Sequence, residues 1–508
     1  MTTHLLRLSS RTLACLAAAL LCTLPAHAAP TKKASPKKPA ATRKKTTPAK
    51  KTEPKKPAPK KTTPAAEPAK PAPTGIAAHE QFPAFMQSLE KMVKENSTDY
   101  YDAVNCVLTA TGGEETALND WMQAAAQQGN AAALRWEISQ KLADVKPQDL
   151  LAAKTKEYYQ KLVALADKGY VPAMLDVGAC LRMGIGTPKN EEAGQRKLME
   201  ACKGGDMKAR YQWLLGTNRI STWEDKDKPE VASEIERGNF YVINHLSSLA
   251  PDAATQVEWM KNAAGKGSGD AYLTLSSLAS ANHPKESLTL LRLAVYLHHP
   301  EALYVYASLL ADNGAATTFQ QMAGITPNAE ESQKLMKTAA LLGSLRAALA
   351  LSSAYYDGTN GLPQDYKKAY FHLNNPLVAG NAAVITARAM LQLQGHGVAQ
   401  DAAAAVAQLE TLSQSYAPAA IMLAWAYFNG TGVKADAKAA SDLLKEAAAT
   451  GTPAAYVYLA YICTKGGEGL PADESQAKRY VRLASLDMGD KAQQLYDSLI
   501  TKGWTPHP

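Results

Sequence analysis

One spacing recurs along the chain. Ala419, Leu423, Tyr427 and Gly430 are placed as Ala347, Leu351, Tyr355 and Gly358 are, as Ala173, Val177, Leu181 and Gly184 are, and as Ala455, Leu459, Cys463 and Gly466 are. A fixed period constrains architecture more tightly than composition does, because each unit can bury its apolar face only against its neighbours. Offsets of 0, 4 and 8 put three residues on one helical stripe, and the glycine at offset 11 ends that helix. A second helical spacing follows each glycine. After Gly430 come Asp436, Ala439, Leu443, Leu444, Ala447 and Gly451; after Gly184 come Glu192, Ala193, Leu198, Ala201 and Gly204. Acidic residues suit the start of such a helix and glycine its end. The unit is helix, glycine-containing turn, helix, turn.

The alanine that opens each first helix is found at Ala131, Ala173, Ala209, Ala271, Ala302, Ala347, Ala383, Ala419, Ala455 and Ala492. The intervals are 42, 36, 62, 31, 45, 36, 36, 36 and 37, regular late in the chain and eroded in the middle. The expected fold is all-α, a curved solenoid of about nine helix-turn-helix repeats.

The pattern Ala-x3-Leu-x3-Tyr-x2-Gly-x-Gly-Val-x3-Asp-x2-Lys/Ala-Ala resembles the Sel-one-like repeat, a relative of the tetratricopeptide repeat. The segments AAIMLAWAYFNGTGVKADAKAASDLLKEAAATG, AAVITARAMLQLQGHGVAQDAAAAVAQLE and AMLDVGACLRMGIGTPKNEEAGQRKLMEACKGG carry it. It covers roughly 120–495, strongly from 340 on and weakly over 206–330. The resemblance implies a right-handed α/α superhelix that serves as an adaptor for proteins or peptides, and it implies no catalytic activity.

The glycine pairs invite a phosphate-loop reading that their context rejects. NGTGVK lacks the spacing of a Walker loop and joins two helices, where such a loop follows a strand. MGIGTP, QGHGVA and GGEGLP recur at the same repeat position, so a shared turn explains all of them. Gly184, Gly186, Gly358, Gly361, Gly395, Gly397, Gly430, Gly432, Gly466 and Gly469 are therefore read as structural turn residues needing positive φ. His298, His299, Glu301 and His283 lack the i, i+4 spacing of a metal site, and no Cys-x2-Cys supports them. No metal, cofactor or catalytic residue is assigned, since neither Gly-x-Ser-x-Gly nor a flanked nucleophilic cysteine occurs. Of the four cysteines beyond residue 28, Cys106, Cys180, Cys202 and Cys463, Cys180 and Cys202 share one hairpin. Their stagger of roughly 10 Å exceeds bridging distance, and small buried residues are the better reading.

Aromatic residues supply the binding candidates. Trp425 and Tyr461 stand at offset 6 of their repeats, where other copies have Ala179, Ser308 and Ser353. First helices line the concave face of such solenoids, so these rings, with Tyr304, Tyr211 and Trp213, are candidate partner-binding residues. The stretch 218–251, where the interval swells to 62, reads as an insertion.

The beginning of the sequence sets the expected compartment. Arg7 and Arg11, an apolar run from Leu13 to Leu24 and the exit Ala26-His27-Ala28 have the layout of a cleaved signal, 1–28. The run is about 12 residues against the roughly 20 of a membrane span, so no integral membrane protein is expected. From 29 to 75 the chain is almost wholly Lys, Pro, Ala and Thr, with nothing apolar enough to offset the entropy of ordering. Residues 29–73 carry 14 Lys and Arg against Glu53 and Glu67, whereas the rest beyond the signal has 39 basic and 45 acidic residues. The reading is a mildly acidic body on a polycationic tether. Export argues against nucleic acid. Residues 32–70 either contact anionic envelope polymers or lipid head groups, or act only as a spacer. The expected organisation is an N-terminal helical cap and partial repeat at 76–130, degenerate repeats at 131–340, and regular repeats with a cap at 341–508. The expected function is a non-catalytic scaffold of the bacterial periplasm binding a protein partner. A polysaccharide or peptidoglycan binder acting through the tether is the alternative, and a hydrolase with a scattered site a further one.

Overall fold

The computed structural model describes residues 75–505, apart from 144, 146 and 312–316. The expected signal at 1–28, and the expected tether at 29–75 apart from residue 75, lie outside the described residues. The described residues form an all-α solenoid with no strand. Three helices lead in: α1 (Gly75–Glu95), α2 (Tyr101–Ala110) and α3 (Ala117–Gln127). Paired helices follow: α4 (Ala131–Ala143) with α5 (Ala153–Asp167), α6 (Val171–Met183) with α7 (Glu191–Lys203), α8 (Met207–Gly216) with α9 (Pro229–Glu236), and α10 (Phe240–Ser248) with α11 (Ala253–Gly265). Next come α12 (Gly269–Ala279) with α13 (Pro284–Tyr296), and α14 (Pro300–Leu310) followed by the short α15 (Thr318–Ala323) and α16 (Ala329–Leu341). The last pairs are α17 (Leu345–Asp357) with α18 (Tyr366–Leu373), α19 (Ala382–Gln394) with α20 (Ala402–Leu412), α21 (Ala417–Asn429) with α22 (Ala437–Ala449), and α23 (Pro453–Lys465) with α24 (Glu474–Met488), closed by α25 (Asp490–Lys502).

All ten marker alanines fall near the start of a first helix or of α25. Ala173, Ala209, Ala271, Ala302, Ala347, Ala419, Ala455 and Ala492 are completely buried, which is why nothing larger recurs there. At the other two, the neighbouring Ala132 and Val384 take the buried place. The stretch 218–251, expected as an insertion, is helical over much of its length. It supplies α9, the second helix of one repeat, and α10, the first helix of another, with fully buried Val242 at the marker position. The interval of 62 thus spans α8 to α11, with no glycine at the turn offset from Ala209 or from Val242.

The same device closes successive hairpins. Asp436 caps α22 through Oδ1, which accepts from the Ala439 amide at 2.8 Å, while its own amide donates to the Tyr427 carbonyl at 2.8 Å. Asp365, Asp473, Asn190 and Asn328 repeat both bonds, onto the carbonyls of Tyr355, Cys463, Leu181 and Leu310. One residue therefore satisfies an orphan donor of the second helix and a terminal carbonyl of the first.

All ten turn glycines have positive φ. The two in each turn do different work. Gly430 is the left-handed C-cap of α21, its amide bonded to the Ala426 carbonyl. Gly432 lies against the preceding repeat, where an added Cβ would stand 2.5 Å from the Ala402 carbonyl oxygen. At Gly397 the same approach, to the Tyr366 oxygen, is 1.9 Å. At Gly186, Gly397 and Gly432 the second glycine thus sets how closely repeats stack, backbone on backbone.

Successive first helices also touch directly: α14 with α17, α17 with α19, α19 with α21, and α21 with α23. Second helices meet mainly through the first helices between them.

The chain also closes on itself, which nearest-neighbour stacking does not anticipate. α2 packs on α16, and Leu341, Leu342, Phe371 and Leu377 join the core cluster formed by α1–α6. Glu115, fully buried at the end of the α2–α3 connection, pairs with Lys337 Nζ at 3.0 Å, accepts from the Tyr355 hydroxyl, and lies 3.6 Å from His372 Nε2. Lys368 bridges to Glu114 at 2.8 Å, and Lys337 donates to the Gly113 carbonyl at 2.9 Å. Burial by itself would raise the Glu115 carboxyl, but the His372 ring, the Lys337 ammonium and the Tyr355 hydroxyl outweigh it and hold the group far below the usual carboxylate range. Burial holds His372 below the ordinary imidazole value against the pull of Glu115.

Candidate interaction site

The ring-bearing first helices of the last repeats converge on one slot. Trp425, on α21, is half-buried, and Tyr461, on α23, is 8 % exposed. Both are in contact with the chain's own Trp504, which follows α25. The Trp425 Nε1–H donates to the Trp504 carbonyl at 2.8 Å. The Trp504 indole stacks on Tyr458 at 4.7 Å between centroids, meets Tyr461 edge-on at 6.1 Å, and lies 6.4 Å from Phe428. The structure brings the two principal sequence candidates together, but occupied rather than open.

The other candidates are dispersed. Tyr211 is 3 % exposed, hydrogen-bonded through its hydroxyl to His245 Nδ1 at 3.2 Å and packed beside Tyr241. Burial removes it from any exposed binding set. Tyr304 is half-buried beneath the Arg346 guanidinium, 4.7 Å from its ring centroid, and Arg346 is in turn paired with Glu301 at 2.7 Å. Trp213 lines a cleft of about 320 Å³ between α7, α8 and α9, with Met199, Cys202, Arg210, Glu234 and Arg237. Met199 is 44 % exposed there. Glu234 is held by Arg210 at 3.0 Å, Arg237 at 2.7 Å and Asn239 at 3.0 Å, so its carboxylate is already paired.

The histidine pair has a packing use. His298, with φ of 54°, stacks on Tyr101 at 3.6 Å and lies 3.3 Å from Asp99, across the closure. His299 Nδ1 accepts the Ala302 amide at the start of α14, and its Nε2 lies 2.9 Å from Asp270. Among the described residues no group of three or more His, Cys, Asp or Glu is placed to hold a metal ion. The four described cysteines are free thiols; Cys180 is 1 % exposed, and burial pushes the Cys202 thiol up to about 11. Among the described residues no single helix is long and apolar enough to cross a membrane.

Sequence reasoning missed Trp504, Tyr458 and Phe428. Trp504 lies outside any repeat, and Tyr458 sits at offset 3, which the repeat pattern leaves unspecified. The aromatic density of YVYLAY in α23 was the available signal.

Comparison with known proteins agrees with the repeat reading. The Sel1 repeat family model matches residues 171–196, 300–344, 345–374, 417–451 and 453–486. Similar solved structures include a protective antigen present in uropathogenic Escherichia coli strains displaying an SLR fold, 17% identical, covering 82% of this chain and 90% of that one with a TM-score of 0.40. Another is a Sel1 repeat protein from Oxalobacter formigenes, 19% identical, covering 67% of this chain and 89% of that one with a TM-score of 0.34. No curated protein matches the chain.

Proposed function

The chain is a Sel1-repeat protein, and from that premise we propose that it is a non-catalytic scaffold of the bacterial cell envelope that holds a protein partner on the concave, first-helix face of its solenoid. The observation that carries this reading is the occupied slot: the first-helix face of α21 and α23 takes up a stretch of non-helical chain through a backbone carbonyl and an aromatic ring. That is the chemistry of peptide capture, in which main-chain hydrogen bonds supply affinity and side-chain pockets select. Export to the periplasm rests on the signal layout of residues 1–28.

The lysine-rich stretch of residues 32–70 gives the second reading its footing. Its charge suits anionic envelope polymers or lipid head groups, with the solenoid then serving as cargo. Retention of envelope-extract proteins by the full chain, and by the chain lacking residues 29–73, at low salt and at about 0.5 M salt separates the two. Retention that survives loss of the lysine tract and added salt supports the scaffold. Retention that collapses under both transfers the function to residues 32–70.

A further inference from the structure

The slot on α21 and α23 shows what it recognises, because it is filled. Trp425 reads a main-chain carbonyl, a group every extended peptide presents. Tyr458 stacks on the incoming ring, Tyr461 meets it edge-on, and Phe428 lies tilted beside it; the first two are the arrangements that aromatic side chains prefer. The present occupant satisfies the slot incompletely. Trp504 is 6 % exposed, yet its indole N–H has no acceptor among the described residues, and a buried donor left unpaired weakens the hold of whatever carries it.

The occupant is also tethered so that it can leave. α25 ends at Lys502, and Gly503 follows with φ of 83° and nothing within 4 Å of an added Cβ. Rotation at Gly503 withdraws Trp504 without disturbing the turns of α25 that bury Ala492 and Leu499.

We propose that the slot formed by Trp425, Phe428, Tyr458 and Tyr461 is a docking site for an extended segment of a partner protein anchored by an aromatic ring, and that residues 503–505 of the chain are its intramolecular competitor. The inference rests on the scaffold reading and names its partner's chemistry. A partner docks when its local concentration and fit exceed those of the tethered Trp504, and the apparent affinity is reduced by the fraction of chains in which the slot is filled.

The test uses a labelled peptide of residues 499–508 as probe, with the intact chain, its Trp504→Ala variant and a variant lacking residues 503–508; far-UV circular dichroism checks the fold of each. The variants are expected to bind the peptide at least about tenfold more tightly than the intact chain. The same peptide with Trp504→Ala is expected not to bind, and Trp425→Phe, made on the Trp504→Ala chain, is expected to weaken binding roughly fivefold through loss of the Nε1 donor. If the shortened variant does not fold, the Trp504→Ala chain carries the test. A folded Trp504→Ala chain that ignores the peptide, or that binds the tryptophan and alanine peptides equally, overturns the proposal. Failure here with retained capture of envelope proteins removes the slot and leaves the scaffold standing.

Discussion

One buried carboxylate joins several elements across the closure of the solenoid on itself, and Glu115→Gln is the perturbation that exposes its share. Glu115 is fully buried, 3.0 Å from Lys337 and 3.9 Å from Lys368. Removing one partner of a buried pair strands the other, at about 3–5 kcal/mol. Two features place this case near the lower bound. Glutamine still accepts from the Tyr355 hydroxyl, and the Lys337 side chain, 16% exposed, regains some water. A loss of about 3 kcal/mol corresponds to roughly a hundredfold shift toward the opened closure. Hydrogen exchange reads it directly: amides of α2–α4 and of α16–α18 should exchange faster in Glu115→Gln, while those of α21–α24 stay unchanged. Lys337→Met should have a similar effect, and the double variant should cost less than the sum of the two, by about 1–3 kcal/mol. An unchanged exchange pattern in α2–α4, or strictly additive variants, would refute the assignment of the closure to this cluster.

Three further outcomes follow from the same geometry. Gly432→Ala should destabilise by about 1–2 kcal/mol for the left-handed backbone and about 1–3 kcal/mol more for overpacking on the Ala402 carbonyl, whereas Gly451→Ala, with φ of 90° and open space around it, should show only the first part; chemical denaturation compares the two. Asp436→Ala removes the cap on the Ala439 amide and should lower stability by about 1 kcal/mol in the same assay. Acidification should loosen the closure. The Glu115 carboxyl lies below its unfolded value, so its contribution is complete above about pH 4.3 and is lost as pH falls toward the folded pKa. His372, also lowered, adds a contribution complete above about pH 6.5 that shrinks below it. Protection factors in α2–α4, corrected for the intrinsic pH dependence of amide exchange, should therefore fall as pH drops below about 6.5 and fall further below about 4.3; protection that grows over the first window reverses the His372 assignment, and over the second the Glu115 assignment.

The repeat was legible wherever two signals coincided, a buried alanine and a turn glycine. Where one was replaced, as by Val242, the pattern broke although the helices did not, because any small apolar residue can fill that buried position. The capping role of Asp436 was legible too, since it depends on residues three apart. The closure was not: Tyr355 and Glu115 are 240 residues apart, and nothing local to either marks them as partners. The aromatic candidates were found in part. Trp425 and Tyr461 stood out by repeat position, while their occupant, Trp504, belongs to no repeat and is brought to them only by the turn after α25.

The central claim is that a partner is held on the first-helix face. Hydrogen exchange of the chain with and without a protein retained from envelope extract tests it most directly. The account predicts protection concentrated in the first helices α17, α19, α21 and α23 and around Trp425. Protection confined to the second helices α18, α20, α22 and α24, or to the lysine-rich residues 32–70, would contradict it.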